Sequence, residues 1–406
     1  VISSTTTRAL GAVLAAGALL LTGCADGSDD KEEGEAPAEE TTPHGYVEGA
    51  EETAEAQHRL VLAEADSGAT AVLDLTTEEV VEVEATGPVT GIHGDGRFAY
   101  LTSGASGDET VHVVDGGSWM VDHGDHIHYY KAAVRGVGTL PGRAAGAHSD
   151  TAVTAVSFAD GSATLLERAA LEDGELAENG TVGTAGPVVP YAEHLLVPAG
   201  GQDAVEVLDR EGNAAATVAE PCPEPSGQAV TRRGVVFGCA DGALLVSEEE
   251  GTFTGEKIPY PEGVTEAERA GEFTHRAGSD TLAARAGDTG VWTLDLASGT
   301  WTLIETGPVA AVNAVGDGAT VLTLTEDGEL HAYDSGDGRR TAGTPLLAEP
   351  LAADGTVPVI EIDTSRAYVN DPAAGVVHEI DYNDDLRLAR TFELGFAPDH
   401  MVETGR

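Results

Sequence analysis

Basic side chains are scarce in this chain: 21 Lys and Arg stand against 70 Asp and Glu, a formal net charge of −49. A surface of that sign repels phosphate, so nucleic acid is excluded as a general partner. Cysteine is nearly absent, with three in 406 residues, which rules out a cysteine array of the zinc-finger kind. Catalytic signatures are missing as well: no His-Glu-x-x-His helix, Gly-x-Ser-x-Gly elbow or Gly-rich phosphate loop occurs. Beyond residue 60 no sustained 3.6-residue apolar period is found, so long amphipathic helices are excluded. The apolar run Ala9 to Leu21 is too short to span a bilayer by itself.

That run follows a single positive charge, Arg8, and leads into Leu21-Thr22-Gly23-Cys24. This is the layout of a secretory signal with small residues before the cut, and its end resembles a bacterial lipobox. The expectation is a signal peptide over residues 1–23, lipid attachment to Cys24, and a mature protein tethered to the outer face of the cytoplasmic membrane. Residues 24–56 are rich in Asp, Glu, Ala, Gly, Thr and Pro, too poor in large apolar groups to order themselves. They are read as an acidic flexible tether. With Cys24 acylated, Cys222 and Cys239 remain as an even pair in an oxidising compartment, and a disulfide between them is expected.

From residue 57 the texture changes to short apolar runs, alternating or β-branched, separated by Gly, Asp and Asn. These read as strands. Asp-Gly pairs at Asp95, Asp160, Asp241, Asp317 and Asp327 supply hairpin chemistry. A unit recurs: Gly87 to Leu101 and Gly307 to Leu322 match closely, and units begin near Gly87, Ala147, Gly186, Ser226, Gly271, Gly307 and Thr356. A repeat of about forty residues is that of a four-stranded propeller blade. The fold expected over 57–406 is therefore all-β, a β-propeller of eight blades, with seven as the alternative. Its opening unit lacks an inner strand and its C-terminal segment from Phe396 to Thr404 supplies one, which closes the ring.

Three of the thirteen histidines lie within residues 123–128, in the run His123-Gly-Asp-His-Ile-His128. Imidazole with carboxylate is a ligand set that suits zinc. In an extended chain His126 and His128 share a face, and Gly124 allows His123 to fold back. Asp125 serves either as a further ligand or as an acceptor that orients an imidazole. The motif sits in the longest interval between repeat starts, an insertion over the face of a rigid scaffold.

The segment Asp122 to Tyr130, with Ser118-Trp-Met-Val before it and Phe237-Gly-Cys-Ala-Asp-Gly-Ala-Leu244 later, resembles the bacterial zinc metallochaperones of the AztD type. The likeness spreads over residues 58 to 406, and His-x-Asp-His-x-His is its specific part. It implies a propeller outside the cytoplasmic membrane that binds Zn(II) and passes it to the solute-binding protein of a zinc ABC importer. The signature maps onto His123, Asp125, His126 and His128. Ser226 and Gln228 stand where the family is expected to place a His and a Glu, and Pro187 to Tyr191 lacks histidine. His148 and His275, near inner-strand positions, are the candidates to complete or replace a channel site.

The expected function is thus a non-enzymatic zinc carrier, monomeric and anchored to the membrane through Cys24. The alternatives are a metal-dependent propeller hydrolase or lactonase, and a surface interaction propeller whose His cluster is incidental.

Overall fold

The computed structural model describes residues 47–124, 126–183, 186–199, 201, 203–316, 320–352 and 355–406. The expected signal peptide, Cys24, most of the tether and Asp125 lie outside the described residues.

The apolar runs form strands, and each strand's burial follows its place in a sheet. The strand β2 (Arg59–Ala63) and the strand β3 (Thr70–Asp74) are buried at every position, whereas β4 (Val80–Val83) alternates between exposed and half-buried. A strand covered on both faces reads as a continuous apolar run, and one at an outer edge alternates. The same gradient separates Gly234–Cys239, buried throughout, from the outer strand Thr252–Pro259.

Antiparallel sheets of this form repeat along the chain. The strands β5 (Val89–Gly94), β6 (Phe98–Ser103) and β7 (Thr110–Asp115) make one sheet, completed by a later outer strand, β10 (Arg135–Pro141). The next begins with β11 (Ala144–Ser149), and others follow with innermost strands Val189–Tyr191, Ser226–Thr231, Ala311–Ala314 and Ile360–Ile362. The sheet Thr281–Ala286, Gly290–Asp295 and Thr300–Ile304 has three strands, extended inward by a bridge between Thr274 and Ala283. Among the described residues there are eight such sheets and a ninth, smaller one of different construction. The innermost strands begin close to the repeat starts read from the sequence. The fold is a β-propeller.

Its core is not a single mass. The apolar clusters each join neighbouring sheets: Trp292, Leu294 and Trp301 pack with Val236, Ile258 and Phe273, and Leu322 and Leu330 pack with Ile362, Val369 and Ile380. Each sheet is held by the face of the next.

The first sheet takes its innermost strand from the other end of the chain. His400–Thr404 pairs antiparallel with β2, with Arg59 opposite Thr404, Val61 opposite Val402 and Ala63 opposite His400. Met401 and Val402 enter the layers on the two sides of this sheet. Gly94 on β5 is required here, since a Cβ at that position would stand 2.5 Å from Val402 Cγ2. Cys222 and Cys239 are joined by a disulfide; on the chain-entropy account a loop of this length stabilises the fold by about 3 kcal/mol.

The acidic segment before residue 57 is not tether throughout. The strand β1 (Glu51–Thr53) lies along residues 129–131, with Glu52 opposite Tyr130. Its backbone groups find strand partners despite a composition that gives no apolar face to bury.

Removing residues 397–404 would leave β2 without its partner strand, open that strand edge, and strip Met401 and Val402 from the two apolar layers beside it. The truncated protein is expected to lose cooperative unfolding or to aggregate, as followed by thermal melting and light scattering. A melting curve identical to the parent's would refute this role for the closing strand.

Candidate metal centre

Between β7 and β10 the chain leaves its sheet and forms a hairpin of β8 (Ser118–Asp122) and β9 (Ile127–Lys131), to which β1 adds as a third strand. Its base is fixed by charge. Arg59 donates to Asp74 (3.2 Å) and to the carbonyls of Gly116 (2.7 Å) and Ala132 (3.1 Å), while Lys131 Nζ meets the same Asp74 carboxylate at 2.7 Å. Arg97 pairs with buried Asp115 at 3.1 Å and lies 3.7 Å over the Trp119 ring. Arg59, Asp74, Arg97 and Asp115 are almost wholly withdrawn from water, so removing one partner would strand a buried charge.

The tip is built by local backbone chemistry. Asp122 pairs with Ile127, leaving four residues to turn. Asp122 Oδ1 accepts from the Gly124 N–H at 2.7 Å, Gly124 takes φ +85°, and His123 N–H donates to the His126 carbonyl at 2.9 Å. That is an Asx turn with glycine in the left-handed region. It brings His123 back over the strand end.

The result is three imidazoles in mutual contact. His126 Nε2 and His128 Nε2 are 3.0 Å apart. Ring centroids are separated by 5.0 Å for His123 and His126, 5.3 Å for His123 and His128, and 4.8 Å for His126 and His128. One ring nitrogen from each lies within 4.8 Å of the others. Two nitrogens on a tetrahedral zinc, each at 2.0–2.1 Å, stand roughly 3.3 Å apart, so this spacing fits a shared ion with little movement. His128 is buried at 8 % exposure, while His123 and His126 are exposed.

His128 is also oriented from behind. Its Nδ1 lies 2.7 Å from Glu52 Oε1, and its ring stacks on buried Tyr130, which stacks in turn on Trp119 at 5.2 Å. A carboxylate accepting the Nδ1 proton fixes the tautomer and leaves Nε2 with its lone pair toward the other histidines, the usual outer support of a metal-bound imidazole. Glu52 escaped the sequence reading because an acidic stretch offers many equivalent carboxylates, and only strand pairing 76 residues away selects one.

The remaining candidates stand elsewhere. His148, on β11, has Nε2 2.9 Å from Gln228 Nε2, so the residue found in place of an expected ligand contacts the candidate histidine instead. His275 Nε2 contacts the Val230 carbonyl at 3.2 Å. Neither is in the three-histidine group.

Burial, reinforced by His93, pushes the His148 imidazole down to about 4, and burial, reinforced by Arg406, pushes His275 down to about 4. An unfolded imidazole titrates near 6.5, so between about pH 6.5 and 4 the unfolded chain binds protons on these rings that the folded chain does not. Stability from this source is intact above that window and lost as pH falls through it. A His148→Gln, His275→Gln double variant should lose less of its Tm than the parent between pH 6.5 and 4; equal slopes would refute the assignment.

No family model and no curated protein sequence matches the chain. Among solved structures, Citrobacter koseri AztD is 20% identical over 87% of this chain and 99% of that one, with a TM-score of 0.72. The apo form of AztD from Citrobacter koseri is 19% identical over 86% and 98%, with a TM-score of 0.71. The computationally designed Ika8 protein follows at 14% identity, 77% and 89% coverage and a TM-score of 0.50. The chain is AztD-like in fold.

If the carboxylate of Glu52 orients His128, Glu52→Ala should weaken zinc binding by about 10- to 100-fold, the usual effect of losing such a partner. Competition against a chromophoric chelator reads this directly, and an unchanged affinity would show that Glu52 is incidental.

Proposed function

We propose that this protein is an exported zinc metallochaperone that holds Zn(II) on His123, His126 and His128 and delivers it to the solute-binding protein of a zinc ABC importer. The observation that carries the reading is the convergence of three imidazoles, one locked in tautomer by Glu52, on a hairpin set into an AztD-like propeller. Asp125, within the motif, is the proposed fourth ligand. The Cys222–Cys239 disulfide supports an extracytoplasmic location, and Cys24 is the proposed point of lipid attachment.

Bound zinc supplies no reaction in this role; it is the cargo. Transfer requires ligands that can be exchanged one at a time, and the site is graded for this. His123 and His126 face solvent, within reach of an incoming partner's donors, whereas His128 is buried and held from behind. A fully enclosed site would bind well and release slowly. A hydrolytic role would need a carboxylate free to act as base, and Glu52 is engaged with the ring of His128. Because imidazole must be neutral to bind metal, protons compete with zinc for the same lone pairs and affinity falls on acidification.

His128→Ala should weaken zinc binding more than tenfold, or about 1.4 kcal/mol, while leaving the propeller folded, since His128 belongs to none of the apolar layers between the sheets. Zinc-loaded protein mixed with the importer's binding protein should transfer its ion faster than it releases it to a chelator. A His123→Ala, His126→Ala, His128→Ala variant that still carried out this accelerated transfer would overturn the proposal.

A further inference from the structure

The propeller brings together a second set of donors. His58, Asp363 and Glu403 place one donor atom each within 4.8 Å of one another. They come from three remote stretches: His58 immediately precedes β2, Glu403 lies on the closing strand opposite Leu60, and Asp363 follows the innermost strand Ile360–Ile362 of the preceding sheet. The group exists only because the ring is closed by its own C-terminal strand.

Glu403 has no exposed surface and Asp363 is 7 % exposed. Asp363 is thoroughly oriented: Oδ1 accepts from the N–H groups of Ser365 (2.6 Å) and Arg366 (2.7 Å), and Oδ2 accepts from the Tyr368 hydroxyl at 3.0 Å. Glu403 is the opposite case. Neither of its oxygens receives a hydrogen bond among the described residues, nor does His58 Nδ1 make one. The approaches to Glu403 are His58 Nδ1 at 3.2 Å and Arg406 Nη1 at 3.6 Å. A buried carboxyl left in this state is costly.

The local charge has the same gap. Glu361, Asp363 and Glu403 face one guanidinium, that of Arg406, which also binds Glu361 at 3.1 Å. Arg366 is committed to Glu379 and Asp381 at 3.1 and 3.3 Å. Burial, with the neighbouring carboxylates of Glu361 and Asp363, pushes the Glu403 carboxyl up to about 8, the response of a buried acid with too few cations around it. A cavity of about 260 Å³ is lined by His58, Asp363, Ser365 and Tyr368 among others, so two of the three donors border a space through which an ion can enter.

We propose that His58, Asp363 and Glu403 form a second binding site for a divalent transition-metal ion, held by one imidazole nitrogen and two carboxylate oxygens. That donor set suits zinc and manganese rather than a soft monovalent ion. The site rests on different residues from the hairpin centre and does not depend on the carrier reading.

Zinc is the probe, and the full chain carrying His123→Ala, His126→Ala and His128→Ala is the background. By equilibrium dialysis with metal analysis, this variant should retain one equivalent of zinc, and zinc should raise its Tm. Adding Glu403→Gln should lower the residual affinity at least tenfold, and adding His58→Gln should do the same. Should Glu403→Gln abolish cooperative melting, His58→Gln and Asp363→Asn decide the matter in the same assay. The proposal is overturned if the triple variant binds no zinc. It is equally overturned if residual binding is undiminished by the folded substitutions, which would place the ion on other donors such as His148.

Discussion

Everything in this molecule depends on one strand pairing. His400–Thr404 lies beside β2, joining residues more than three hundred positions apart, and it supplies the innermost strand of the first sheet. Without it the first sheet loses its innermost strand and β2 presents an unpaired edge, and open edges invite pairing with other chains. Because the apolar layers lie between sheets, the closing strand also completes two of them, through Met401 on one side and Val402 on the other. Closure is slow to find in folding, since its loop entropy must be met before the contacts reward it.

The hairpin centre inherits its rigidity from this region. Arg59, on the strand that pairs with the C-terminus, reaches out to hold Gly116 and Ala132 at the two ends of the inserted segment. Asp74, on the next strand, binds both Arg59 and Lys131. Truncating one partner of such a buried arrangement typically costs about 3–5 kcal/mol, because the charge left behind has no water to turn to. The tip, by contrast, is held by an Asx turn and by Glu52, interactions of about one hydrogen bond each. A firm base under a lightly held tip allows ligands to be presented in register and still be drawn away.

Histidine has different meanings at different depths of this structure. On the hairpin three rings share one small volume, and only the innermost is shielded from water. On the inner strands His148 and His275 stand apart, each contacting a neutral group and each depressed by burial. At the seam, His58 faces two carboxylates, one of them without a hydrogen bond. Donor type alone does not distinguish these three settings; burial and the charge of the neighbours do.

The sequence by itself determined what is local or periodic. Alternating and β-branched runs dictated strands, repetition every forty residues or so dictated blades, and the orphan unit ends at residues 59–63 and 396–404 carried the means of closure. The spacing of His123, His126 and His128 around Gly124 was enough to put three rings on one turn, because residues so close in sequence need only a strand face and a left-handed glycine to meet. Tertiary structure decided the rest. It selected Glu52 from an acidic stretch by pairing β1 with β9, set Gln228 against His148 from 80 residues away, and assembled His58, Asp363 and Glu403 from both ends of the ring. Such meetings depend on which strand lies beside which, and strand order is fixed by packing between sheets, an interaction that leaves no spacing in the chain to read.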